Sequence, residues 1–98
     1  MQIPSIVKIR LERLVTEIQE SDTPCAGLTF EALTERKATE PRWLYRAGQL
    51  LSPPQFEQFR NAIHADFPAE PTRAQECAAL HAAASGAVTM LSNHIETL

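Results

Sequence analysis

Glycine is scarce in this chain: Gly27, Gly48 and Gly86 are the only three in 98 residues. So few glycines leave no glycine-rich loop to cradle a phosphate. Cysteine is scarcer still. Cys25 and Cys77 are too few for a disulfide framework, and a Cys25–Cys77 bridge is not expected. Aromatic residues make up 6% of the chain, so aliphatic and alanine packing must supply most of the core. No apolar run approaches the roughly 20 residues that a membrane-spanning helix needs. The N-terminal MQIPSIVKIRLERLV carries charges every few residues and lacks the continuous apolar stretch of a signal peptide. A cytoplasmic protein with reduced thiols and no membrane association is therefore expected. There is also no strand-like alternation of useful length, no nucleophile elbow, no HExxH and no paired-cysteine zinc signature. The acidic residues are dispersed and suggest no catalytic pair. The expectation is a chain that is not an enzyme and carries neither metal nor cofactor.

What the chain does have is a folded composition. Hydrophobic residues are 44% and charged residues 21%, which argues against disorder, and 98 residues make one domain. The net charge of −3 gives no overall attraction to nucleic acid or an anionic membrane. The charge is uneven. Arg36, Lys37, Arg42 and Arg46 against Glu40 give +3 across residues 36–46, while five basic and eleven acidic groups leave −6 elsewhere.

Hydrophobic periodicity predicts an all-α, compact five-helix domain with a long alanine-rich C-terminal helix. The first helix runs from about Pro4 to Ser21 and buries Ile3, Val7, Leu11, Leu14 and Ile18. Ile6 and Val15 widen that stripe, and Arg13 and Glu17 form a weak surface pair. Thr29 caps a short second helix from Phe30 to Arg36, with Phe30 and Leu33 facing the core. Thr39 caps a third, with Pro41 in its first turn and Trp43, Ala47 and Leu50 on one face. Ser52-Pro53-Pro54-Gln55 has the serine, proline and glutamine of a capping box. It opens a fourth helix to about Ala65, burying Phe56, Phe59 and Ile63. Thr72 and Gln75 repeat that signal for the fifth, where Cys77, Leu80, Ala84, Val88, Leu91, Ile95 and Leu98 form the apolar stripe. A kink at Ser85-Gly86 remains open.

Residues 28–63, LTFEALTERKATEPRWLYRAGQLLSPPQFEQFRNAI, resemble the middle of a Cro/repressor-type helix-turn-helix domain. In that family the second helix of the motif enters the major groove. The resemblance implies that Arg42, Tyr45, Arg46 and Gln49 face DNA and that Arg36 and Lys37 touch phosphates. Arg46 would then read guanine and Gln49 adenine. The chain departs from the pattern at Lys37, where the turn usually carries glycine, and at Leu33, where a small residue is usual.

Two other features stand out. Ala78/Ala82, Ala79/Ala83 and Ala83/Ala87 place small residues four apart on the last helix, which would suit a homodimer through that helix as well as packing within one chain. Cys77 and His81 lie one turn apart, but structural zinc takes four ligands and catalytic zinc three. The pair reads as a core cysteine beside a partly buried histidine.

The functional expectation is a small non-catalytic regulator that binds another protein and inhibits it. In size and acidic charge alone the chain is similar to phage-encoded anti-defence proteins, including anti-CRISPR proteins. Glu12, Glu17, Glu20, Glu31, Glu35, Glu57, Asp66 and Glu70 would then meet a basic surface of a nucleic-acid-binding partner. The expected partner site is Arg36, Lys37, Arg42, Tyr45, Arg46 and Gln49, with Trp43 a further hot spot where that face is exposed. The alternative is a DNA-binding repressor, for which nucleic acid is the partner.

Overall fold

A computed structural model describes residues 6–22 and 29–98, with four α-helices and no strand among them. They are α1 (Ile6–Ser21), α2 (Phe30–Leu50), α3 (Pro53–Ile63) and α4 (Arg73–Glu96). The expected contributions of Ile3, Pro4 and Cys25 lie outside the described residues.

The count of five helices is corrected to four, because the second and third expected helices are one. Residues 30–50 run unbroken through Pro41. Pro41 has no N–H to offer the carbonyl of Lys37, a local defect that normally ends or bends a helix. Thr39 does not cap. Its hydroxyl donates to the Arg36 carbonyl at 2.6 Å and accepts from the Arg36 guanidinium at 3.3 Å. Both halves of α2 bury apolar groups, Leu33 before the proline and Trp43 and Ala47 after it. That burial holds the two halves in one helix where local signals predict a break.

The true caps are Thr29, Ser52 and Thr72. Thr29 Oγ1 accepts from the Ala32 amide at 3.1 Å. Thr72 Oγ1 accepts from the Gln75 amide, and Gln75 Oε1 accepts from the Thr72 amide, which completes the predicted capping box. α4 continues without interruption past Ser85-Gly86 to Glu96.

The helices pack α1 on α2, α2 on α3, α3 on α4 and α4 back on α1. Neighbours run in opposite directions. Glu40 and Gly48 of α2 meet His64 and Phe56 at the two ends of α3. Gln55 and Ala62 of α3 meet His94 and Gly86 of α4. This is an up-down-up-down four-helix arrangement. Its main core is Leu11, Leu14, Ile18, Trp43, Ala47, Leu51, Phe59, Ile63, Ala84, Ala87 and Leu91. α3 has 11 residues and α2 has 21, so α3 covers only part of the bundle's length. Beyond it a smaller cluster of Leu33, Cys77 and Leu80 closes under Ala65 of the α3–α4 connector.

Several burial expectations change. Ile6 and Val7 are exposed, as is Leu98 at the chain end. Trp43 is completely buried, so it presents nothing to a partner. Ala83 and Ala87 of the small-residue stripe are buried in the chain's own core, while Ala78 and Ala82 face solvent. No helix among the described residues is long and apolar enough to cross a membrane.

Candidate functional site

The helical repeat divides the six expected site residues of α2 between two faces. Arg42, Tyr45 and Gln49 fall three and four residues apart and are all exposed, on the stripe that also carries Ala38, Pro41 and Gly48. Tyr45 is the most exposed large hydrophobic residue described, at 71%. Arg36, Lys37 and Arg46 turn toward the flanks, where the rest of the chain engages them.

Arg36 lies over the buried Trp43 ring, 4.9 Å from its centroid, and donates to the Leu80 carbonyl of α4 at 3.3 Å. A guanidinium on an indole face is a favourable cation–π arrangement. Lys37 pairs with Glu76 of α4 at 2.5 Å and sits 5.2 Å from the Phe67 ring. Arg46 forms an ion pair with Glu17 of α1, and Arg42 approaches the same carboxylate at 3.9 Å. Glu17 therefore bridges to α2, in place of the expected pair with Arg13. The +3 cluster read from the sequence is braced and partly neutralised by Glu17 and Glu76. Of the six expected site residues, Arg42, Tyr45 and Gln49 make up the outward face.

The bracing has a mechanical result. α2 is tied to α4 through Arg36 and Lys37 and to α1 through Arg46, on both sides of Pro41. Tyr45 thus stands on a helix tied to the rest of the chain on both sides of Pro41.

The acidic exterior is thinner than its count of carboxylates. Glu17 serves Arg46, Glu57 pairs with Arg60 at 2.9 Å, and Asp66 lies 3.5 Å from His64. Glu12, Glu20, Glu31, Glu35 and Glu70 are exposed. Cys77 and His81 diverge. The thiol is buried beside Leu33 and Leu80, whereas His81 is exposed, with Nδ1 2.8 Å from Asp22 Oδ2. Among the described residues no three His, Cys, Asp or Glu side chains converge as metal ligands would.

Two features escaped the sequence reading. One is Glu17 as the tie between α1 and α2. The other is a groove between α3 and α4, whose only sequence signal is the recurrence of Ser85, Thr89, Asn93 and Thr97 at intervals of four. Comparison with known proteins yields no matching family model, no matching curated protein and no matching solved structure.

Proposed function

We propose that this chain is a non-catalytic protein that docks onto another protein through the outward face of α2 and inhibits it. The observation that carries the reading is Tyr45, a 71% exposed aromatic between Arg42 and Gln49 on a helix braced on both sides of Pro41. Tyrosine and arginine are the residues that dominate interface energetics, because each covers apolar area and keeps a polar end for hydrogen bonding. The carboxylates Glu12, Glu20, Glu31 and Glu35 on α1 and α2 favour a basic partner surface and would speed association with it. A small acidic inhibitor of phage type, directed at a nucleic-acid-binding host complex, is the form of the proposal that fits this charge.

The repressor alternative would use Arg42 and Gln49 on the same face. The resemblance that suggested it sets a turn at Lys37, and Lys37 lies within α2. Capture from lysate by the tagged full chain, with and without nuclease, separates the two. A defined protein that survives nuclease and is lost with Tyr45→Ala supports docking through α2. Capture that needs intact DNA, or that Tyr45→Ala leaves unchanged, overturns it. DNA capture that is lost with Arg42→Ala and falls steeply with salt would establish the repressor instead.

A further inference from the structure

The groove between α3 and α4 is open to solvent, has a volume of about 750 Å³ and lies apart from the α2 face. That volume is within the range of about 300–1,000 Å³ typical of ligand sites. Its lining holds no Asp, Glu, Lys or Arg, although 21% of the chain is charged. Amides, hydroxyls and one imidazole line it, with Gly86 and Met90 between them.

Much of this hydrogen-bonding capacity is unused. Gln58, Ser85, Thr89 and Asn93 line the groove, and their side chains have no hydrogen-bond partner among the described residues. Serine and threonine within a helix commonly turn back to the carbonyl one turn earlier, as Thr16 does to Glu12 at 3.1 Å. Ser85 and Thr89 do not. His94 adds a directed donor. The Ser52 amide can only donate, so the Gln55 atom it meets at 3.2 Å is the carbonyl oxygen. The Gln55 NH₂ then faces His94 Nδ1 at 3.2 Å and must donate to it. The neutral ring therefore carries its proton on Nε2, which has no acceptor among the described residues.

We propose that this groove binds an extended, uncharged segment of polypeptide from another protein. Ser85, Thr89 and Asn93 are four residues apart, which spaces them by about 6 Å along α4. Extended chain repeats every two residues at about 6.2–6.8 Å, so successive groups of one peptide edge meet successive side chains of the ladder. The kind of occupant follows from the unused donors and acceptors. A helix has already satisfied its own backbone, so docking one here would leave only its side chains to replace the water on Gln58, Thr89 and Asn93. An extended segment brings a free N–H and C=O at each residue. The absence of lining charge disfavours a charged segment, whose ions would lose water and gain no counter-ion.

The test is to pan a library of random dodecapeptides against the full-length chain and measure binding of a labelled enriched peptide. Enriched sequences should be poor in Asp, Glu, Lys and Arg. Thr89→Lys, at an exposed position, should weaken binding at least tenfold, and Asn93→Ala at least threefold, with helicity unchanged by circular dichroism. Tyr45→Ala should leave peptide binding untouched, which separates this site from docking through α2. The proposal is overturned by a failure to enrich any peptide, by enriched peptides that bind Thr89→Lys equally well, or by peptides that become helical on binding. Sedimentation showing a dimer that Thr89→Lys dissolves would assign the groove to a second copy and overturn it as well.

Discussion

Glu17 and Trp43 show how single side chains hold α2 in place. The Glu17 carboxylate is half-buried between α1 and α2, where it pairs with Arg46. Glu17→Gln should cost about 1 kcal/mol in urea denaturation, at the upper end for a partly solvated pair. Arg42→Ala should cost much less, because its guanidinium is 3.9 Å away and 64% exposed. Equal losses would show that both arginines bear the load. Trp43 is completely buried, yet its indole Nε1 finds no hydrogen-bond acceptor among the described residues. Trp43→Ala should cost about 3–5 kcal/mol through lost contacts and the cavity. Trp43→Phe should cost well under half of that. It removes volume and the better cation–π surface for Arg36, but also a buried donor whose desolvation is worth about 1–3 kcal/mol. A Trp43→Phe loss as large as that of Trp43→Ala would show that the indole N–H has a partner.

At the scale of elements, α2 is built against its local preference. Pro41 in its interior forgoes the bond to the Lys37 carbonyl, a defect worth about 3 kcal/mol or more in an isolated helix. Pro41→Ala should therefore raise stability by about 1–3 kcal/mol, seen as a higher melting temperature with unchanged helicity. A loss would mean that the packing of α2 requires the bend a proline imposes. Gly86→Ala makes the milder comparison. A Cβ there would stand 3.7 Å from the Ala62 carbonyl oxygen, ordinary contact, so helix propensity should add up to about 1 kcal/mol. These two sites also mark what could be read from sequence. Capping at Thr29, Ser52 and Thr72 was legible because a cap is a contact between residues three apart. The break expected at Thr39-Glu40-Pro41 carried the same local signal and was overridden by burial of Leu33 on one side and Trp43 and Ala47 on the other. The outward face of Arg42, Tyr45 and Gln49 follows from helical period alone. The engagement of Arg36 does not, because its acceptor at Leu80 is 44 residues away. Glu17 and Glu76 are hidden from local reading for the same reason.

For the whole molecule, the mismatch in helix length decides where the fold is weakest. α2 spans about 31 Å and α3 only about 16 Å, at 1.5 Å per residue. The main core forms where all four helices overlap. The end beyond α3 rests on Leu33, Cys77 and Leu80, covered by the connector that carries Ala65. This connector includes Glu70 at φ 54°, a left-handed conformation that costs a residue with a Cβ roughly 1–2 kcal/mol. Fewer buried contacts and a strained cover mean that this end should open before the rest unfolds. Cys77 reports the opening directly, since its thiol is 1% exposed and reacts only when the small cluster parts. In a Cys25→Ser background, modification of Cys77 by a thiol reagent should proceed faster than global unfolding allows. Leu33→Ala should accelerate it while barely changing hydrogen exchange at Leu14, Ala87 and Leu91. The Lys37–Glu76 pair closes the same end, so Glu76→Gln should accelerate modification too, by a smaller factor. If Cys77 instead reacts at the rate of global unfolding in all three backgrounds, the two cores form one cooperative unit, and the brace between α2 and α4 stands or falls with the whole bundle.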